Sequence, residues 1–337
     1  MRLSVCGQSD TYRIFSLTTY NDGLRIFQRL LQEKRPESKG LLVVISLIFT
    51  LFEAAQLEPT QVYDGWEGHL KGALFLMQRQ GPAAFQTGGL HAAFIKLREM
   101  AMLFAFSTKS RSFLAQRDWI EIPWARMEKS SRDRLYDIAT EITIINSRKD
   151  GNKPDISRKC QIIFDRLVSW RLKWLEDDHP GLLISCQGDH EEPCGCFPPR
   201  NVSSFCDEFA FITAEYMAFL LLVTHIAISA ANDLKIAPRD ENHMATAYLY
   251  VDTHRKRASR LRMSLQKILT LPCFGQALSG TPGITEGRCR SLFPTWILSQ
   301  NPDRWGSDNV DWWSDLTGRV NYGMKCCRQI QFQYAED

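Results

Sequence analysis

Apolar residues at Ile156, Cys160, Ile163, Leu167, Trp170 and Trp174 keep a spacing of three or four over about five turns. Such spacing lays them along one stripe of an α-helix, whereas a half-buried strand alternates at every second residue. The same period recurs along most of the chain and constrains its fold more than any other feature. Tyr20, Leu24, Phe27 and Leu31 predict a helix capped near Asn21 or Asp22 and closed by Lys34-Arg35-Pro36. Leu41, Val44, Ile45, Ile48, Leu51 and Phe52 predict a helix apolar on nearly every side, suited to the centre of a bundle.

Trp66 to Gln80 reads as the next helix, stopped at Gly81-Pro82, and Leu90, Phe94, Leu97, Ala101 and Phe104 mark a fourth that breaks near Ser107–Ser110. Leu135, Ile138, Ile142 and Ile145 give another. A long apolar helix is expected over about Phe205–Asn232. The next, about Met244–Thr270, turns Tyr248, Val251, Ala258, Leu261, Leu265 and Ile268 to one side. Two last helices centre on Leu292–Leu298 and Asp311–Ile330. No alternating β-branched runs joined by Asn-Gly or Asp-Gly turns occur, so no sheet is expected. The expectation is an all-α, irregular multi-helical array of roughly ten helices. It forms one domain over residues 1–337, with long variable loops near 177–204 and 271–288.

With 44% hydrophobic and 23% charged residues, the chain can bury a large core. A net charge of +3 is too small for the basic stripe of a dedicated nucleic-acid binder. Leu41–Phe52 is far shorter than the roughly 20 apolar residues a membrane span needs, and residues 217–231 are flanked or interrupted by Glu215, His225 and Asp233. No membrane partner is expected. Residues 1–20 mix Arg2, Asp10 and Arg13 with short apolar pieces, unlike a secretory signal. The ten cysteines sit mostly singly and read as reduced thiols of an intracellular protein. The Asn201-Val202-Ser203 sequon then has no consequence.

Signals of chemistry are sparse. Cys186, His190, Cys194, Cys196 and Cys206 crowd one segment, and thiolate with imidazole is what zinc prefers. Yet Cys-x-Cys is an unusual chelating step and no Cys-x-x-Cys pair exists, so a variable loop is the better reading. There is no Gly-x-Ser-x-Gly, His-Glu-x-x-His or Gly-x-x-x-x-Gly-Lys motif. Glu176-Asp177-Asp178 and Asn232-Asp233 superficially resemble the magnesium motifs of all-helical prenyl-diphosphate cyclases. Pro180-Gly181, Ile236 and Pro238 disrupt both, which leaves a magnesium-dependent terpenoid cyclase as an alternative only. The basic run His254-Arg255-Lys256-Arg257-Ala258-Ser259-Arg260-Leu261-Arg262 spreads around a helix and reads as a solvated face. Most tryptophans read as core, with Trp119 and Trp124, beside charged residues, expected to be partly exposed. No catalytic, metal-binding or cofactor-binding residue is assigned, and no enzyme is expected.

One stretch carries a family pattern. Trp66-x-x-His69-Leu70-Lys71-Gly72-Ala73, the stop Arg79-x-Gly81, then Leu90, Phe94 and Arg98, Ser112-Phe113-Leu114, Trp119 and Pro123-Trp124 follow in order. Residues 61–124 so resemble the fungal-specific transcription factor domain, the regulatory region C-terminal to binuclear zinc clusters (Zn2Cys6) in fungal regulators. The helices at 20–57 and Arg290-Ser291-Leu292-Phe293-Pro294 look like its opening and closing segments. In this stretch Leu70, Ala73 and Met77 make a helix face, Trp66 anchors the helix start, Gly72 permits close approach of a neighbour, and Gly81 suits an αL stop.

The resemblance implies a nuclear regulator of transcription. Its partners would be other transcription proteins or a second copy of the chain, and a small-molecule effector would bias its state. The six cysteines of the cluster are not among residues 1–337, so no direct DNA binding is expected from this chain alone. A helical adaptor without a transcriptional role is a further alternative.

Overall fold

A computed structural model describes residues 3–33, 38–56, 65–147, 153–180, 207–236 and 241–269, with positions 294 and 297. The described residues are 91% helical, with nine α-helices and no strand among them, as the periodicity predicts. The helices are α1 (Leu3–Glu33), α2 (Ser38–Gln56), α3 (Gly65–Gln80), α4 (Gly88–Ser107), α5 (Arg117–Glu121), α6 (Ser131–Asn146), α7 (Lys153–Asp178), α8 (Asp207–Ile236) and α9 (Glu241–Leu269). Short 3₁₀ turns occupy Pro82–Phe85, Phe113–Ala115 and Ile122–Trp124. The chain divides into two compact units, one of residues 1–55, 63–101 and 121–127 and one of residues 56–62, 102–120 and 128–337.

In the first unit α1 overruns the expected start. Asn21 and Asp22 lie inside the helix, and Asp22 binds Arg25 one turn on at 2.9 Å instead of capping an N-terminus. Tyr20 ties α1 to α2 by stacking on Phe52, ring centroids 4.6 Å apart, and meets Phe49 edge-on at 5.2 Å. Its hydroxyl also reaches His69 Nε2 of α3 at 2.9 Å. Helix α2 is not a central helix. It buries Val43, Ser46, Leu47 and Thr50 but leaves Leu41 51% and Ile48 55% exposed. Its inward stripe includes two hydroxyls, and Thr50 satisfies its own by donating to the Ser46 carbonyl at 2.8 Å.

Helix α3 buries Leu70, Ala73 and Met77, the face expected of it. Its stop is Gly81, whose N–H donates to the Met77 carbonyl at 3.2 Å. The Gly81 backbone, at φ 80° and ψ 159°, lies outside αL in an extended region that essentially only glycine occupies. The close approach assigned to Gly72 is at Gly40 instead. A Cβ at Gly72 would meet nothing within 4 Å, whereas one at Gly40 would lie 2.9 Å from Leu90 Cδ1.

In the second unit α8 is the central helix. It packs on α6, α7 and α9, and nearly every residue from Phe209 to Thr224 is buried. Asp207–Asn232 is long and apolar enough to cross a bilayer, but 83% of its apolar window is buried among neighbours, as in a core helix. Helix α7 buries the whole predicted stripe from Ile156 to Trp174, and α6 buries Leu135, Ile138, Ile142 and Ile145. A capping box starts α6, in which Ser130 accepts from the Asp133 N–H and Asp133 accepts from the Ser130 N–H. The break near Ser107–Ser110 is a left-handed turn, with Lys109 at φ 49° and the Ser110 N–H returning to the Ala105 carbonyl at 3.0 Å. Helix α7 runs to Asp178, two residues into the expected loop. Residues 181–206, the 271–288 loop and the 311–330 helix lie outside the described residues, while Pro294 and Ile297 are helical and buried.

Candidate functional site

A groove of about 490 Å³ opens in the first unit where three helix ends meet. The C-terminal end of α1 supplies Leu30 and Leu31, the N-terminal end of α2 supplies Lys39 and Leu42, and the C-terminal end of α3 supplies Leu76, Arg79 and Gln80. Four leucines make its walls, so its body is apolar. The polar groups are unevenly satisfied. Lys39 and Arg79 have no carboxylate partner among the described residues. The guanidinium of Arg79 rests 5.7 Å from the Phe75 ring centroid. The side-chain oxygen of Gln80 is buried and accepts no hydrogen bond.

The two cations differ in their helix context. Arg79 sits in the last turn of α3, where positive charge complements the negative end of the helix dipole. Lys39 sits in the first turn of α2, where it opposes the positive end. Arg79 therefore has a structural reason to be basic, and Lys39 has none within its own helix.

In the same unit, residues of α4 and of the 3₁₀ turns at Pro82–Phe85 and Ile122–Trp124 build one aromatic core. His91 Nδ1 pairs with the Phe85 carbonyl at 2.8 Å, and its ring meets Trp124 edge-on at 4.7 Å. Phe94 packs on Trp124 at 5.9 Å and on Phe85 at 6.1 Å. Arg98 lies 5.9 Å over the Trp124 ring and is itself buried. Trp124 is thus only 8% exposed, and in the second unit Trp119 is only 5% exposed against Phe113. The expected partial exposure of both is overturned. Their charged sequence neighbours turn outward while the indoles turn inward, an arrangement that a 3₁₀ turn at Ile122–Trp124 permits.

The second unit carries perturbed titrating groups that are structural in character. Burial pushes the Cys160 thiol up to about 12 and the Tyr216 hydroxyl to about 12, the latter opposed by neighbouring Arg171. Burial and the nearby Arg257 charge lower His254 to about 4. Side-chain hydrogen bonds from Lys159 and Arg158 hold Asp155 below its ordinary value. None of these groups lines the groove.

The other sequence candidates do not assemble. Cys186, His190, Cys194, Cys196 and Cys206 lie outside the described residues. Glu176, Asp177 and Asp178 are exposed at the end of α7, where Asp178 accepts the Ser131 hydroxyl at 2.7 Å. Among the described residues no three His, Cys, Asp or Glu side chains come together as a metal site would require. In the basic run, Arg255, Lys256 and Arg260 face solvent and His254, Ala258 and Leu261 face inward. Arg257 sits 4.3 Å over the Phe164 ring.

Lys39 is not marked by any sequence pattern, and Arg79 and Gln80 stand out only as the end of a helix. They come from two separate helices and share no local motif. The one available signal is the lysine at the wrong end of α2. Comparison with family models, curated proteins and solved structures finds no match to this chain.

Proposed function

We propose that this chain is a helical regulatory domain of the fungal zinc-cluster type of transcription factor. It acts in the nucleus through other transcription proteins or a second copy of itself, and it answers to a small effector. DNA contact is not attributed to residues 1–337. The reading assigns no residue a catalytic, metal or cofactor role.

The observation that carries it is the convergence of the family pattern. Phe94, Arg98 and Trp124, up to 30 positions apart in sequence, meet in one core of the first unit, where Trp124 touches Phe94, Arg98 and His91, and Phe94 touches Phe85. Those spacings are interdependent, because shifting one element would unseat the Trp124 ring from the other two. A pattern whose members serve one core is a better family signature than separate matches.

Cellular location tests the proposal. A fluorescently tagged chain in a fungal host should accumulate in the nucleus. Exclusively cytoplasmic signal would instead favour a helical adaptor. Purified protein that turned over a prenyl diphosphate with magnesium would replace a regulator by a terpenoid cyclase.

A further inference from the structure

We infer that the groove between α1, α2 and α3 binds a small amphipathic carboxylate with a hydrogen-bond donor between its acid group and its apolar tail, the chemistry of an N-acyl amino acid. The inference rests on the groove alone and is independent of any role in transcription.

Each part of such a ligand answers one feature of the site. Leu30, Leu31, Leu42 and Leu76 wall the groove, and Leu31 is 42% exposed, so an alkyl tail would remove apolar surface from water. Lys39 and Arg79, with no carboxylate partner among the described residues, offer two positive charges on the same lining. A carboxylate beside Lys39 would also offset the unfavourable meeting of its ammonium with the α2 dipole. The buried Gln80 oxygen carries an unmet desolvation cost that a ligand N–H or O–H would remove. A neutral hydrocarbon would meet only the first feature, and an inorganic anion only the second. The volume, about 490 Å³, is in the range of small-molecule sites.

Isothermal titration of the full chain with N-decanoylglycine, decanoate and decanol, each below its aggregation concentration, tests this. N-decanoylglycine should bind saturably at one site, decanoate more weakly and decanol weakest. Lys39→Gln with Arg79→Gln should weaken N-decanoylglycine by about tenfold or more, the scale of losing a charge-assisted contact. Both side chains are exposed, so circular dichroism of the double variant should match the parent. Gln80→Leu should abolish the preference for N-decanoylglycine over decanoate while keeping decanoate binding. Absence of saturable binding, equal binding of decanol, or an affinity unmoved by the double variant would each overturn the assignment. A nuclear, transcriptionally active chain that fails here would separate this failure from that of the regulatory reading.

Discussion

Arg132 holds Glu215 at both carboxylate oxygens, with Nε 2.8 Å from Oε2 and Nη2 2.6 Å from Oε1. The two residues lie 83 positions apart, on α6 and α8, and Glu215 is 1% exposed. Tyr136 adds its hydroxyl to Oε1 at 3.2 Å and its ring beneath the guanidinium at 4.9 Å. A charge this deep within α8 is tolerated because its partners come with it.

The pair should therefore be costly to break and cheap to replace. Arg132→Met strands the buried carboxylate and should cost about 3–5 kcal/mol in urea unfolding. Combining Arg132→Met with Glu215→Leu should recover most of that loss, since both charges then leave together. A double variant as unstable as the single one would show that the pair matters for more than charge compensation.

Two glycines of the first unit, Gly72 and Gly81, should respond to alanine with opposite signs. Gly72→Ala puts a methyl into open space within α3 and should stabilise by about 1 kcal/mol through helix propensity. Gly81→Ala forces a side chain onto a glycine-only backbone at φ 80° and should destabilise by about 1–3 kcal/mol. Thermal unfolding of both variants decides it, and a shift of the same sign in both would contradict the assignment of Gly81 as the conformational stop.

Acid should weaken the second unit through His254. Its folded pKa, about 4, is below the ordinary imidazole value of 6.5, so the unfolded chain takes up the proton first. The stability that neutral His254 contributes is complete above pH 6.5 and is lost as pH falls toward 4. The full effect is about 3 kcal/mol from the size of that shift. Unfolding free energies of the parent and of His254→Leu, compared across this window, should diverge in pH slope. Parallel slopes would mean the imidazole is not held neutral.

Cys160, 1% exposed with a thiol raised to about 12, should be chemically silent in the folded chain. Iodoacetamide at pH 8 followed by peptide mass spectrometry should leave it unmodified, and denaturant should expose it fully. Modification under native conditions at the rate of a free thiol would place the side chain nearer solvent than α7 does.

The helices were legible because the buried stripes of α6 and α7 are written locally, at the 3.6-residue period. What failed were inferences from composition without partners. Leu41 and Ile48 look like core by hydrophobicity, yet they lie on the outward side of α2 while Ser46 and Thr50 lie inward. Which side of an apolar helix faces a neighbour depends on where that neighbour is, and periodicity is silent when nearly all positions are apolar. Trp119 and Trp124 misled for a related reason, since a charged neighbour in sequence says little about an indole in a short helix or a tight turn. The groove was illegible because three helix ends contribute to it, and only folding brings Lys39 beside Arg79 and Gln80.

A tethered reporter assay bears most directly on the regulatory role. Residues 1–337, fused to an unrelated DNA-binding module, should move transcription from a promoter carrying that module's site above or below the level given by the module alone. Trp124→Ala, which removes the ring shared by His91, Phe94 and Arg98, should return output to that baseline. Output equal to the module alone, from a fusion that is folded and nuclear, would contradict the account.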